Sequence, residues 1–258
     1  MTTVHPACNA CRIDGVDLDF IMAFQPIVDA EASTVWGYEA LVRGPSGEPA
    51  PTVLSQVTDE NRYRFDQACR VKAIEAAGRL FGDHRLKLSI NFMPNAVYEP
   101  AACIRTSLAA ADRAGVNRSQ LMFEFTEDER ISDGAHVTRI VEAYKRFGFM
   151  TAIDDFGNGY AGLSLLTAFT PDLIKIDMAL VRGIDENRSR QVIVAGIIGI
   201  ARHLGIAVLA EGVETRSEAR TLCSLGIVLM QGFLFARPEI DRLPPISWPM
   251  LAADLVSA

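Results

Sequence analysis

Gln120–Ile153 reads QLMFEFTEDERISDGAHVTRIVEAYKRFGFMTAI, and this stretch sets the fold class. Gln120 to Phe125 is a short run of bulky apolar residues, the signature of a strand. A polar segment follows. Ser132 or Asp133 is then placed to cap a helix whose apolar stripe is Val137, Ile140, Val141 and Tyr144. These lie at offsets 0, 3, 4 and 7, one face of an α-helix, and Gly148 stops it. Phe149 to Ile153 is a second apolar strand. Neither strand alternates cleanly with polar residues, as expected where both faces of a parallel sheet are covered.

The same unit recurs outward in both directions. Downstream, Asp172 to Ile176 and Ile206 to Ala210 are strands. Between them a helix from Gln191 to Leu204 ends at Gly205. Thr215 and Glu218 form a capping box that opens a helix ended by Gly226, and Ile227 to Met230 is the last strand. Upstream, Leu86 to Phe92 is a strand, and a helix opened by Pro100 is closed by Gly115. A helical stretch is clearest from Arg64 to Leu80. Phe20 to Val28 and Val35 to Val42 are strands joined by only six residues, which predicts an antiparallel hairpin. Eight strands, six in strand–helix repeats, predict an α/β barrel, with a doubly wound open sheet as the second choice. Residues 1–19 read as an irregular tail and 20–258 as a single domain.

The 258 residues suffice for one such barrel. Hydrophobic residues are 49% and charged residues 22%, which excludes disordered and collagen-like classes. The net charge of −7 lacks the footprint of a duplex nucleic-acid binder. Five cysteines form no disulfide framework. Cys8 and Cys11 have metal-ligand spacing without a second pair, so they read as free thiols. The N-terminus lacks a signal-peptide pattern, and Val192 to Ala201 is too short to cross a bilayer. The expected location is the cytoplasm.

The chemistry sits at the strand ends, where barrels place their active sites. Glu39 lies on the second strand, Asn91 ends the third, and Glu124 lies on the fourth. The pair Asp154-Asp155 ends the fifth, Lys175 and Asp177 mark the sixth, Glu211 ends the seventh and Gln231 the eighth. Taken singly, an acid at a strand end is an ordinary cap or solvated charge. Lys175 with Asp177 could be a structural ion pair. Together, unpaired carboxylates in an apolar barrel mouth are costly. Divalent cations with oxygen ligands, such as Mg²⁺, Mn²⁺ or Ca²⁺, are the simplest remedy. Adjacent aspartates can serve two cations at once, and two cations suit phosphoryl displacement. A lysine nearby can hold or deprotonate the attacking water. The pattern predicts metal-assisted hydrolysis of a phosphate ester.

These residues also carry a resemblance. Tyr38-Glu39-Ala40-Leu41-Val42-Arg43-Gly44 resembles the signature of the EAL-domain family of cyclic di-GMP phosphodiesterases. Phe24-Gln25-Pro26-Ile27, Ser89-Ile90-Asn91, Glu124-Phe125-Thr126-Glu127, Asp154-Asp155-Phe156-Gly157, Ile174-Lys175-Ile176-Asp177, Ala210-Glu211-Gly212-Val213-Glu214 and Gln231-Gly232-Phe233 extend it in order over about residues 20–240. The resemblance implies a modified (β/α)8 barrel of the triosephosphate-isomerase type with one antiparallel strand. It implies hydrolysis of one phosphodiester of cyclic di-GMP to linear pGpG with two Mg²⁺ or Mn²⁺ ions, Ca²⁺ inhibiting, and a homodimer. By motif, Glu39, Asn91, Glu124 and Asp154 hold one metal. Asp154 and Asp155 hold the other, with Glu211 beside it. Glu39, Lys175 and Glu211 form the catalytic set, with Lys175 contacting the attacking water. Gln25, Leu41, Arg43, Glu214 and Gln231 contact the ligand, Arg43 at a phosphate. Glu127 anchors the loop after Asp155.

Two other readings stand beside this one. Some members of the resembled family are silent receptors or interaction modules, but these usually lack part of the metal set, which is intact here. An unrelated metal-dependent barrel hydrolase is disfavoured by the pairing of Glu39 with Arg43 and of Glu211 with Glu214. Asn158, Ala161 and Gly162 depart from the family pattern in the loop after the fifth strand.

Overall fold

A computed structural model describes residues 18–82, 85–97, 99–126, 134–159 and 162–249. The hairpin opens it. β1 (Ile21–Asp29) pairs antiparallel with β2 (Thr34–Arg43), with Gln25 opposite Glu39. From β2 the sheet runs parallel through β3 (Lys87–Asn91), β4 (Leu121–Thr126), β5 (Met150–Phe156), β6 (Leu173–Ile176), β7 (Ala207–Ala210) and β8 (Leu229–Met230). β8 then pairs antiparallel with β1, Val28 opposite Met230, and the ring closes. Closure excludes the open sheet, and β1 is the antiparallel strand that the hairpin predicts.

The helices lie between the strands: α1 (Ala50–Leu54), α2 (Arg62–Leu80), α3 (Pro100–Cys103), α4 (Arg105–Ala114), α5 (Gly134–Arg146), α6 (Gly162–Ala168), α7 (Met178–Val181), α8 (Arg188–Leu204) and α9 (Arg216–Leu225). The caps act as the sequence indicates. Pro100 sits in the first turn of α3, and Gly115, Gly205 and Gly226 end α4, α8 and α9 in the left-handed region. Thr215 and Glu218 form the reciprocal capping box on α9.

Several expectations need correction. The helix expected from Pro100 to Gly115 is two, broken at Ile104, whose amide bonds back to Pro100 and Ala102. The fifth strand does not stop at Ile153 but continues through both aspartates to Phe156. A two-residue strand, β9 (Glu239–Ile240), pairs with β1 and carries too few residues to show a pattern. The candidate caps Ser132 and Asp133, the thiols Cys8 and Cys11, and Glu127 lie outside the described residues.

Period-2 alternation divides each strand between two cores. Ile27, Met122, Ala152, Leu173 and Leu209 form one buried cluster, flanked by Trp36, Met150 and Leu229. The opposite parity, including Phe24, Leu88, Ile90, Phe123, Phe125, Ile153, Ile174, Ile176 and Met230, joins the larger cluster that packs with the helices; on β2, beside the slip in the β1 pairing, Tyr38 joins it too. This is why the strands read as continuous apolar runs.

Under the helices sits one buried ion pair. Arg70 on α2 is fully buried, 2.6 Å from Asp66. It donates to the Tyr144 hydroxyl at 2.7 Å and lies over the rings of Phe92 and Phe123 at 5.2 and 5.5 Å. Asp66 also accepts the Met93 amide, which ties α2 to the end of β3. Asp66→Ala leaves the guanidinium uncompensated and is expected to cost about 3–5 kcal/mol in urea unfolding. Asp66→Leu combined with Arg70→Met is expected to cost less, because it leaves no charge behind.

Candidate metal-assisted active site

The site is the layer of side chains directly above the inner apolar cluster. Two residues further along the same faces, Met122, Ala152, Leu173, Leu209 and Leu229 give way to Glu124, Asp154, Lys175, Glu211 and Gln231. On antiparallel β1 the step runs backwards, from Ile27 to Gln25. The apolar layer thus seals the barrel beneath the polar one and withholds water from it.

Lys175 is the centre. Its side chain is fully buried, and Nζ lies 2.7 Å from Glu211, 3.0 Å from Asp154, 3.2 Å from Glu124 and 3.5 Å from Glu39. Burial disfavours the ammonium, but the four carboxylates outweigh it and hold Lys175 well above the usual lysine range. One positive charge cannot satisfy four negative ones. Burial, with repulsion from Glu39 and Asp154, pushes Glu124 up despite Lys175. Burial and Asp154 likewise raise Glu211. Burial also works against ionised Glu39, yet Lys175 and hydrogen bonds with Gln231 and Asn91 leave it below the usual range.

Neutral donors fix one side of the ring. Asn91 Nδ2 donates to Glu39 at 2.9 Å and to Glu124 at 3.0 Å. Ser89 Oγ donates to Glu124. Gln231 Nε2 donates to Glu39 at 2.7 Å and to Gln25 at 3.1 Å, while Gln25 donates to the Ala236 carbonyl at 3.3 Å.

Asp155 needs a local device, because neighbours on a strand point to opposite faces. The β5–β6 register shifts between Ile153 and Phe156, and Asp155 adopts φ +54°. This bulge turns Asp155 into the same mouth as Asp154. Burial, then Asp154 and Asp177, push its carboxyl up to about 7. Asp177 caps α7 through the Ala179 amide at 2.8 Å; it is not the ion-pair partner of Lys175.

Two overlapping carboxylate groups result: Glu39, Glu124 and Asp154, and Asp154, Asp155 and Glu211. Within each, one oxygen per residue lies within 4.8 Å of the others, and Asp154 belongs to both. The donors are hard oxygens, Asp154 Oδ1 is buried with only the Lys175 ammonium at 3.0 Å to balance it, and several members carry raised pKa values. Such a set fits divalent cations.

A cavity of about 210 Å³ opens above it, lined by Gln25, Glu39, Asp155, Asp177, Met178, Arg182, Glu211, Gly212, Gln231, Gly232 and Phe233. This is below the ~300–1,000 Å³ that encloses a whole small ligand, so a larger ligand must spread over the rim. The chain belongs to the EAL domain family. The EAL domain model matches residues 15–238. Among curated relatives, the blue light- and temperature-regulated antirepressor BluF of Escherichia coli is 34% identical over 228 residues, 88% of this chain and 56% of that protein. The chain spans about half the length of BluF and less of other curated relatives it matches. A standalone EAL protein of Vibrio cholerae, solved in its c-di-GMP-bound form, is 50% identical, with a TM-score of 0.87 and coverage of 90% of this chain and 98% of that one. BlrP1 of Klebsiella pneumoniae, solved as a manganese and cyclic di-GMP complex, is 38% identical with a TM-score of 0.84, covering 91% and 59%.

The structure gathers Glu39, Asn91, Glu124, Asp154, Asp155, Lys175, Glu211, Gln231 and Gln25 into one mouth. Leu41 and Arg43 are half-buried and are not among the lining residues; Arg43 Nη1 donates to the Val42 carbonyl at 2.7 Å, within reach of the Glu39 field. Glu214 stands at the rim, paired with Arg182 at 2.6 Å. Met178, Arg182 and Phe233 escaped sequence reasoning because a one-turn helix, its end and a turn carry them, too short for any periodic pattern. Ser89 could have been found as a hydroxyl inside an apolar strand.

A cation-dependent stability follows. Asp155 titrates near 7 in the folded chain against ~3.9 unfolded, so its contribution is present below about pH 4 and is lost as pH rises through 7. Cation-free protein is expected to be less stable in urea at about pH 8 than at about pH 5. Mn²⁺ at ~100 times its Kd is expected to add about 2.7 kcal/mol. Asp154→Ala is expected to abolish most of that gain, because it removes the shared ligand.

Proposed function

We propose that this chain hydrolyses one phosphodiester bond of cyclic di-GMP to linear pGpG, using two divalent cations. The observation that carries the reading is the pair of carboxylate groups sharing Asp154 around a buried lysine. The c-di-GMP-bound relative of 50% identity and the manganese complex of BlrP1 support both ligand and metal. Glu39, Asn91, Glu124 and Asp154 would hold one cation, and Asp154 and Asp155 the other, with Glu211 beside it. Bound Mg²⁺ or Mn²⁺ would supply an activated water and charge neutralisation at the phosphoryl group. Ca²⁺, larger and less demanding in geometry, would occupy the site and inhibit.

The chain's own residues divide the remaining work. Lys175 stays an ammonium among four carboxylates, so it orients the attacking water as a donor and does not take its proton. Glu211, raised by burial and 2.7 Å from Lys175, is the carboxylate assigned to receive that proton. Water oxygen bonds to phosphorus as one phosphorus–ribose oxygen bond breaks; the ring opens, and the released ribose oxygen takes up a proton from solvent to become a hydroxyl. Arg43 is assigned to a phosphate, and Gln25, Leu41, Glu214 and Gln231 to the remaining ligand contacts. Glu127 is kept as the anchor of the following loop. Residues 20–258 are taken as one domain acting in the cytoplasm; no described helix is long and apolar enough to cross a membrane. A silent cyclic di-GMP receptor is the second reading, supported by the antirepressor role in the name of BluF.

Nucleotide chromatography separates the two. With Mg²⁺ or Mn²⁺, cyclic di-GMP should be converted to pGpG, and EDTA should stop it. Binding without product would select the receptor. Lys175→Ala is expected to lower kcat by about 10²–10³-fold with KM little changed, as for loss of one preorganised donor. A parallel rise in KM would make Lys175 a phosphate anchor instead.

A homodimer is also proposed. α8 exposes an apolar ridge of Val192, Ile193, Ile200 and Leu204, each at least 40% exposed, on the side away from the barrel. Ile193→Asp combined with Ile200→Asp is expected to convert dimer to monomer in light scattering. An unchanged mass would remove this ridge from the interface.

A further inference from the structure

We infer that Glu218 is a positioning residue that locks two pocket-wall connections, β6–α8 and β7–α9, into one unit. The inference rests on the hydrolase reading for its kinetic consequence but not for its structural one. Glu218 is only 4% exposed. Oε2 accepts the amides of Glu214 and Thr215, each at 2.9 Å, which completes the cap of α9. A helix cap requires nothing more. Yet Oε1 accepts the Gly183 amide at 2.9 Å, from the other connection, 35 residues away in sequence.

The two connections carry opposite parts of the same wall. Asp177, Met178 and Arg182 come from the first, and Glu211 and Gly212 from the second. Two further contacts join them, and a third braces the first connection from α8. Arg182 pairs with Glu214 through both nitrogens. Arg190 donates to the Arg182 carbonyl, which fixes the approach to Gly183. Gly212, at φ +65°, lets Met178 come so close that a Cβ there would stand 2.6 Å from that of Met178. The Arg182–Glu214 pair is about a third exposed on one side and more on the other, and such pairs contribute little in water. The buried carboxylate with three amide donors is the stronger tie. Burial alone would raise the Glu218 carboxyl, but the amides of Gly183, Glu214 and Thr215 hold it below the usual range.

Glu211, immediately before Gly212, reaches Lys175, and Asp177 stands beside Asp155. Freeing Gly183 from Glu218 therefore loosens the wall that carries a carboxylate on each side of the cavity. Cap and lock are separable by substitution. Thr215→Ala removes the cap hydroxyl and leaves the Gly183 bond. Glu218→Ala removes both. Glu218→Gln keeps one acceptor oxygen without charge.

The test is hydrogen exchange of the full chain, read by mass spectrometry over residues 178–186, with steady-state kinetics on cyclic di-GMP in parallel. Glu218→Ala is expected to raise exchange over 178–186 several-fold and to raise KM at least as strongly as it lowers kcat. Thr215→Ala should destabilise α9 while leaving 178–186 and the kinetics at wild-type values. Glu218→Gln should fall between the two. Equal exchange in Glu218→Ala and Thr215→Ala, or wild-type exchange in Glu218→Gln and Glu218→Ala, would reduce Glu218 to a helix cap and overturn the inference. If the wild type turns over no cyclic di-GMP, the hydrolase reading fails, while the exchange comparison still decides the lock.

Discussion

One ammonium group surrounded by four carboxylates governs this molecule. Lys175 is fully buried, and so is Glu124; Glu39 and Asp154 expose only 5% and 8%. Burying this much unlike and like charge is expensive, since desolvation of each ion costs several kcal/mol. The lysine offsets part of it, and hydrogen bonds from Asn91, Ser89 and Gln231 offset more. The remainder is unrelieved repulsion, visible as the upward shifts of Glu124, Glu211 and Asp155. Stability is supplied elsewhere, by two apolar layers and the caps, and is spent at the mouth. Consistency between sequence and structure is expected to fail at such places, and here it does.

That failure made the site legible. A glutamate or lysine inside a run such as LMFEFT or LIKI contradicts the apolar pattern, and the contradiction recurs at each strand end. The barrel was readable for the complementary reason: six strand–helix repeats with unmistakable stops at Gly115, Gly148, Gly205 and Gly226. Where the sequence stayed silent, the causes are local. The break at Ile104 interrupts a helix made of ordinary helix formers, so no residue marks it. β9 has two residues, too few for any periodicity. Phe233 and Arg182 line the cavity from turns, where position depends on the elements they join.

The bulge at Asp155 lies between these cases. Two adjacent acids are plain in the sequence, but a regular strand would send one of them into the outer core. Only the register shift and the left-handed backbone of Asp155 bring both to the mouth. A non-glycine residue in that conformation carries strain, and strain of this kind persists where surrounding structure over-determines it. Asp155 N-terminal neighbours are fixed by pairing to β4 and β6, and Gly157, at φ +97°, absorbs the turn that follows.

The two carboxylate groups are not equivalent, and the difference is built in. Glu39 and Glu124 are held by neutral amide and hydroxyl donors from Asn91, Ser89 and Gln231. Asp154 and Glu211 lean on Lys175, Asp155 lies beside Asp177, and Asp155 and Glu211 line the cavity, as Glu39 does. In the two-cation reading, the inner group is therefore the more deeply buried of the two, with its two glutamates already fixed by hydrogen bonds. The outer group is less buried and self-repelling, and its Glu211 and the neighbouring Asp177 sit on the two connections joined by the Gly183–Glu218 hydrogen bond. A bound phosphodiester would lie over this outer group, where its own oxygens can complete the coordination. In that reading, occupancy of the outer position would depend on the presence of ligand more than occupancy of the inner one, whose carboxylates the barrel strands already hold.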